Sequence, residues 1–305
     1  MEKRLDFRSI ALLLLLTVLW GASFPAMKMA LHGFPPVFLG TFRFLLAGIL
    51  ATFYGLLRGE RLALQSRTSP FLLFLYGVSL AAEIVLLLIG IDHTSANRAS
   101  ILFNTAPFWV LSLAIFLLPR ERLPLNKWIG SGLAFTGVVL LFVGPRSTSG
   151  PSGLLGDILV LAASGVWGIR IILLKFFPVA IGVTTIQVWQ FFVTGILLGL
   201  LGLSVERVSD IHLSLPVLVA FLYVAMVANA FGFMLWTYLV QKEMATRVAP
   251  FMFLTPVFGV LTSAAWLKEA LTGTLLVSLA LVGAGIFVVN RQEVAGMDAG
   301  GIEPG

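Results

Sequence analysis

The sequence contains no cysteine, and only 11% of its 305 residues are charged. The missing cysteine excludes disulfide bonds, cysteine-zinc sites and thiol catalysis. Soluble domains carry about 25% charged residues. A chain with so few charges and 59% hydrophobic residues therefore cannot bury its apolar surface in a water-soluble fold. Its net charge of +6 is then assigned to basic loops at one membrane face, and nucleic acid is not expected as a partner.

Several sequence motifs of enzymes and pumps are also missing. No HExxH, GxxxxGK[ST] or GxSxG occurs, so the signatures of zinc proteases, nucleotide-driven pumps and nucleophile elbows are absent. His32, His93 and His212 fall in or near predicted loops, and we predict no metal site. Glu83 is the only acidic residue deep in an apolar segment, which argues against an intramembrane enzyme with paired carboxylates. We therefore predict no catalytic residue and no cofactor.

Long apolar runs dominate what the chain does contain. A membrane-spanning helix needs about 20 mostly apolar residues. Ten segments meet this requirement, at 9–29, 36–57, 70–91, 96–118, 126–144, 153–176, 182–203, 215–238, 247–267 and 272–290. The sequence thus predicts an all-α polytopic membrane protein with ten transmembrane helices. The polar, glycine-rich residues 292–305 are predicted to be a disordered tail.

Basic residues are unevenly divided between the predicted loops. Thirteen of the 20 Lys and Arg residues fall on the side that holds the N-terminus, five fall on the opposite side, and two lie inside spans. Because basic loops stay in the cytoplasm, we predict that both termini are cytoplasmic.

The two halves of the chain echo one another. Trp, Gly and Lys recur at the same spacing in WGASFPAMK at 20–28 and WGIRIILLK at 167–175. We therefore divide the chain into repeats at 1–148 and 149–291, with five spans each. Because five is odd, the second repeat must cross the membrane inverted. Inverted repeats are typical of transporters that bind substrate between the halves, while a duplication without functional meaning is the alternative.

These features resemble the EamA family of the drug/metabolite transporter superfamily, most of all its YddG-type amino-acid exporters. The resemblance spans residues 9–290 and is carried by the two W-G-x6-K motifs, Arg43, NRASILFNTAP at 97–107, and E-x-L at 121–123 and 269–271. It implies a bacterial inner-membrane exporter with a central substrate cavity. The halves are chemically unequal, since Gln190 stands where the first repeat has Arg43, and Ala230 where it has Glu83.

Polar side chains inside the spans are the candidate cavity residues. An ionised group in mid-bilayer costs about 2.5–3.5 kcal/mol on insertion scales. Counting residues from the outer helix ends brings Arg43, Glu83 and Asn104 to one depth. We predict that Arg43 pairs with Glu83 and that Asn104 lies beside them. A purely structural ion pair is the alternative.

Amides of the second half form a predicted second layer. Gln190, Asn229 and Thr255 lie at matching distances from the inner helix ends, and Gln187 is one turn from Gln190. These groups could bind a zwitterion, or simply join helices by hydrogen bonds. Arg170 is placed nearer the inner interface, where its head group could snorkel.

Aromatic and proline residues complete the candidate set. Trp20 and Trp167 occupy equivalent mid-bilayer positions, and we predict that they form two walls of one cavity. The glycine after each should allow another backbone to approach closely. Prolines weaken helices, so Pro25, Pro107 and Pro256 are candidate hinges, although such kinks also occur without function.

The sequence-based hypothesis is an exporter of amino acids, aromatic and other neutral ones included, that works by alternating access. An exporter of aromatic or quaternary-ammonium cations, for which the tryptophans would supply cation–π contacts, is the alternative. A transporter of lipids, nucleotide sugars or other metabolites is a further one. The expected partners are a small-molecule substrate and the lipid bilayer. Glycines at 195–199 could support a dimer, but packing within a monomer is the expected use.

Overall fold

The computed structural model describes residues 7–60, 62, 69–106, 108–109, 125–144, 153–174, 176–177, 181–242, 251–252 and 254–295. Helices lie in all ten predicted spans: α1 (Phe7–Ala30), α2 (Pro36–Leu57), α3 (Pro70–His93), α4 (Ala96–Phe103), α5 (Leu125–Val143), α6 (Gly153–Leu174), α7 (Val183–Val205), α8 (residues 215–242), α9 (Leu254–Leu267) and α10 (Gly273–Ala295). Over these ranges no strand occurs, and the all-α prediction is confirmed.

Six of these helices, α1, α2, α3, α6, α7 and α8, are long and apolar enough to cross a membrane. Shorter apolar stretches lie in α5, α9 and α10. The chain is therefore a multi-pass membrane protein. At the C-terminal end of the helical region, α10 continues to Ala295, four residues into the segment predicted as a tail.

The counterpart helices of the two halves run antiparallel. Along α2, Gly40 packs on Leu198 and Gly48 packs on Phe192, so α7 runs backwards beside it. The α5–α10 pair behaves in the same way, with Gly137 against Ser278 and Gly285 against Gly130. Since α7 and α10 are the second-half counterparts of α2 and α5, the halves are inverted relative to one another.

The remaining helices cross between the halves. α1 packs on α8 and α9, and its counterpart α6 packs on α3 and α4. A continuous core of buried apolar side chains forms where these helices meet, with Phe44, Leu88 and Phe191 among its fully buried members. Each half therefore contributes its first helix to the other half, which brings polar residues of both repeats together.

The helix α8 changes its winding in the middle. It begins as an α-helix (Leu215–Leu222), continues as a nine-residue π-helix (Tyr223–Phe231) and ends as an α-helix (Gly232–Lys242). π-Helical turns are rare and are found frequently at functional sites. This one carries the buried Asn229.

We call the end of the bundle where α1 ends the far face, and the end where α1 begins the near face.

The glycines of the predicted dimer motif at 195–199 pack against another helix of the same chain. Gly195 packs on Leu45 of α2, and Gly199 packs on Thr41. This confirms the prediction of close packing within one chain.

Candidate functional site

A buried ion pair joins the two halves near the centre of the bundle. Arg170 on α6 donates from Nη1 to Glu83 Oε2 on α3 at 2.6 Å and from Nη2 to Gln190 Oε1 on α7 at 2.7 Å. The side chains of the pair are each only 3% exposed. The rings of Tyr76 and Trp167 lie 4.7 and 5.3 Å from the Arg170 guanidinium carbon, within cation–π range.

Two predictions about these charges are wrong. Glu83 pairs with Arg170 and not with Arg43. Arg170 does not snorkel to an interface, because its long side chain turns inward to a carboxylate that would otherwise be buried without a partner. The sequence signal that favoured snorkelling, a position near the end of a span, fixes only the Cα of an arginine and not the direction of its head group.

Arg43 belongs to a second, separate cluster. Its Nη2 donates to Asn229 Oδ1 on α8 at 2.8 Å, and its Nη1 contacts the sulfur of Met27 on α1 at 3.0 Å. The ring of Phe44 lies 4.9 Å from its guanidinium carbon. Arg43 Nε and Asn229 Nδ2 are buried without a hydrogen-bond partner. The cluster thus holds a cation, a neutral amide and two unused donors.

The structure therefore does not keep the two predicted layers of polar residues separate. Each arginine reaches a residue of the other repeat, Arg43 to Asn229 and Arg170 to Glu83. The amide of Asn104 is half-buried and donates to the carbonyl of Ser100 in its own helix, at 2.8 Å.

The other amide of α7, Gln187, has a different partner from Gln190. Its Nε2 is 3.5 Å from the carbonyl oxygen of Phe233 on α8, while Gln190 binds Arg170. Thr255, the third member of that predicted layer, is buried on α9 with its hydroxyl unpartnered.

Trp20 and Trp167 are half-buried, and both contact residues of other helices. The indole of Trp20 donates to the carbonyl of Ala228 at 3.0 Å, and its ring lies 5.7 Å from Phe233. The ring of Trp167 lies 6.1 Å from Phe103 on α4. These contacts place an aromatic side chain of each first helix against the opposite set of helices, next to the two arginine clusters.

Gly21, which follows Trp20, allows a close approach between α1 and α9. A Cβ at Gly21 would lie 2.7 Å from the backbone nitrogen of Gly259 on α9. The predicted role of this glycine in close backbone approach is thereby confirmed.

Of the three candidate hinge prolines, two lie in helices that the structure describes. Pro25 lies inside α1, which continues through it to Ala30. Pro256 lies in the first turn of α9, where a missing amide donor is tolerated. Pro107 lies outside the described residues. Their role as hinges stays a prediction.

Carboxylates at the far face bind helix ends, which the sequence analysis did not anticipate. Glu206, after α7, accepts from the backbone amides of Val37 and Phe38 at the start of α2, at 2.8 and 2.9 Å. Glu269, after α9, accepts from Ala96 and Asn97 at the start of α4, at 2.7 and 2.9 Å. Each carboxylate meets the unpaired, partly positive amides of a helix N-terminus.

Lys28 ties a third helix end at the same face. Its Nζ donates to the carbonyl oxygens of Ile91, Asp92 and Thr94 at 2.6, 2.7 and 2.9 Å. A cation at the C-terminus of α3 satisfies carbonyls that have no partner within the helix. Lys28 therefore links α1 to the C-terminal end of α3.

A recess between α9 and α10 is lined by Val257, Leu279, Ala280, Gly283 and Phe287. All of these are apolar or glycine, and none belongs to either arginine cluster. The recess offers no group that could orient a polar substrate.

Comparison with known proteins identifies the family of this chain. The model of the EamA-like transporter family matches residues 7–143 and 154–291. A relative named "Probable amino-acid metabolite efflux pump", from Salmonella typhimurium, is 29% identical over 91% of this chain and 93% of its own length. Another, named "Probable terminal-alkyne amino-acid exporter", from Streptantibioticus cattleyicolor, is 28% identical over 94% of this chain and 95% of its own length.

A solved structure described as the crystal structure of a protein has a TM-score of 0.67 and 18% identity, over 96% of this chain and 100% of that one. At this identity the likeness concerns the fold alone. Because the family model covers both halves of the chain, the protein belongs to the EamA-like transporter family.

Proposed function

We propose that the protein exports amino acids, aromatic and other neutral ones included, from the cytoplasm across the cell inner membrane. Two relatives that cover nearly the whole chain are named as amino-acid exporters or efflux pumps, which supports this substrate class. The observation that carries the proposal is the convergence of both repeats on two arginine clusters flanked by aromatic rings. A neutral amino acid presents two opposite charges and an apolar side chain, and these groups are complementary to such a site.

Alternating access is the proposed mechanism. The far face is tied by Glu206, Glu269 and Lys28, which link different helices through hydrogen bonds to their ends. In the proposed cycle these links break when the site opens to the outside and form again when it opens to the cytoplasm. Antiparallel halves suit this exchange because they can adopt each other's arrangement.

The orientation and boundaries are part of the proposal. The excess of basic residues on the N-terminal side supports cytoplasmic termini, so the near face is the cytoplasmic one. The functional units are the repeats 1–148 and 149–291. We propose a monomer, since the glycines that could form a dimer interface pack on α2 of the same chain.

Export of aromatic or quaternary cations is the second candidate. Trp167 already lies beside a guanidinium, which supports cation–π binding at this position. A cation would, however, need a free carboxylate or an open aromatic cage, and Glu83 is bound to Arg170. The ion pair therefore favours amino acids over cations.

Counterflow in liposomes tests the proposal. Purified protein is reconstituted in vesicles loaded with unlabelled L-phenylalanine, for uptake of radiolabelled L-phenylalanine and L-leucine. A second set of vesicles is loaded with unlabelled benzyltrimethylammonium, for uptake of that radiolabelled cation. Accumulation of the two amino acids above empty liposomes is expected. Accumulation of benzyltrimethylammonium above empty liposomes, without any amino-acid counterflow, would reject amino-acid export in favour of the cation.

A further inference from the structure

We infer that Arg43 and Asn229 form the binding site for the carboxylate of the substrate. The inference rests on the proposed function in taking that substrate to be an amino acid. It is argued from charge balance, from the relation between the two halves and from unused hydrogen-bond donors.

Charge balance singles out Arg43. Five charged side chains are buried in the part of the chain that the structure describes, namely Arg43, Glu83, Arg98, Asp157 and Arg170. Arg98 pairs with Asp157, and Arg170 pairs with Glu83. The Glu83 carboxylate also acts on Arg43 electrostatically, but it is already hydrogen-bonded to Arg170. Arg43 is thus the buried cation of this set that lacks an ion-pair partner, and buried charges are normally paired.

The relation between the halves indicates what is missing. In the complete cluster, an arginine meets a carboxylate of the third helix, Glu83. In the incomplete cluster, Arg43 meets Asn229 from α8, the counterpart of that helix. The repeat offset places Ala230 at the position equivalent to Glu83, and the neighbouring residue on the π-helix, Asn229, binds the arginine. The second cluster therefore has an amide where the first has an acid.

Unused donors point to the same position. Arg43 Nε and Asn229 Nδ2 are buried, each side chain is at most 5% exposed, and neither atom has a partner. A carboxylate has two oxygens and can accept from both donors at once. Ionised pairs of this kind give shorter and stronger hydrogen bonds than neutral ones.

Met27 lies against a different edge of the guanidinium from the one that carries Nε. Its thioether sulfur lies 3.0 Å from Arg43 Nη1. A thioether is a weak acceptor, and the unbranched side chain changes rotamer easily. The thioether therefore leaves the charge of Arg43 uncompensated, and the substrate carboxylate binds at the edge that carries Nε.

Ligand-dependent thermal stability of the purified protein tests this site. The probes are L-phenylalanine, phenylacetate, which keeps the carboxylate without the amine, and phenethylamine, which keeps the amine without the carboxylate. The wild-type protein is expected to be stabilised by the first two. Stabilisation by phenethylamine alone would overturn the inference without any variant.

Substitutions at Asn229 and Arg43 test whether phenylacetate binds at these two residues. Asn229→Asp is isosteric and supplies the missing acid, so it should leave the unliganded protein folded and weaken phenylacetate binding at least about tenfold, equivalent to about 1.4 kcal/mol. Arg43→Gln should weaken it by a similar factor, and Arg43→Lys should retain part of the affinity. The matched control is Asn290→Asp in α10, a helix that packs on α5; it should bind phenylacetate as the wild type does.

Unchanged phenylacetate affinity in Asn229→Asp would overturn the inference, and so would equal losses in the Asn290→Asp control. Failure of amino-acid counterflow has a different consequence. It would reject the proposed substrate, while the phenylacetate measurement would still decide whether Arg43 and Asn229 bind a carboxylate.

Discussion

Arg170 and Glu83 come from different halves of the chain and form one ion pair, with 2.6 Å between Nη1 and Oε2. The first helix of the second half is thereby joined to the third helix of the first half, through two side chains that are each only 3% exposed. Gln190 Oε1 accepts a hydrogen bond from the other terminal nitrogen of Arg170, Nη2. This triad is the polar centre on which both repeats converge.

Removing one charge of this pair should be costly. Glu83→Gln leaves the Arg170 guanidinium buried without a counter-charge, which typically costs about 3–5 kcal/mol. Thermal unfolding in detergent should show a large loss of stability for Glu83→Gln and for Arg170→Gln. The double variant should recover much of that loss, because no unpaired charge remains. Additive losses in the double variant would mean that the two residues are not coupled.

The close approach of α1 and α9 depends on Gly21. A Cβ there would lie 2.7 Å from the Gly259 nitrogen and 2.8 Å from the Thr255 carbonyl oxygen, both backbone atoms that cannot yield easily. Gly21→Ala should therefore destabilise the protein by about 1–3 kcal/mol, the usual cost of overpacking. Gly132→Ala is the matched control, since nothing lies within 4 Å of a Cβ at that position. Equal stability of the two variants, measured by thermal unfolding, contradicts the close contact.

The indole of Trp20 should affect transport both through its hydrogen bond and through its ring contacts, and two substitutions separate these contributions. Trp20→Phe keeps an aromatic ring but leaves the Ala228 carbonyl without its donor, at a cost of about 1 kcal/mol. Trp20→Ala also removes the contacts with Phe233 and Trp236. We expect a small rise in the counterflow KM for L-phenylalanine in Trp20→Phe and a large one in Trp20→Ala. Similar KM values in both variants would show that the ring does not contact the substrate.

The links at the far face should control outward opening. Glu269→Gln replaces a carboxylate that accepts from two amides at the start of α4, and the neutral amide binds them more weakly. Because the chain has no cysteine, a single cysteine at Phe103 can be labelled without background. Glu269→Gln should speed its reaction with an impermeant maleimide added from outside. Glu60→Gln, which changes a carboxylate at the near face, is the control; equal rates in both variants would assign no closing role to Glu269.

Much of the fold was predictable from the sequence, for physical reasons. A membrane requires about 20 apolar residues per crossing, so the ten spans stand out by length alone. Five crossings per repeat force the second repeat to be inverted, and the antiparallel packing of α2 with α7 agrees. Gly21 could be assigned to a close helix approach because small residues mark such crossings.

The partners of the charged residues could not be predicted in the same way. Counting residues along straight helices gives the depth of a Cα, but an arginine head group can lie several ångströms above or below it. The prediction therefore paired Glu83 with Arg43 instead of Arg170. The π-helix in α8, which orients Asn229, has no sequence signature that distinguishes it from ordinary helix. Glu206 and Glu269 bind helix ends more than 160 residues away in sequence, which local rules do not reach.

The reactivity of a single cysteine at Asn104 tests most directly the central claim of a water-accessible substrate site between the antiparallel halves. Asn104 is half-buried and directly follows α4. Ile196 on α7 is 55% exposed and serves as the lipid-facing control. Asn104→Cys, in vesicles of either orientation, should react with an impermeant maleimide from at least one side, and L-phenylalanine should slow the reaction. Ile196→Cys should react only with a membrane-permeant reagent. If Asn104→Cys behaves like Ile196→Cys and ignores L-phenylalanine, the site between the halves does not exist.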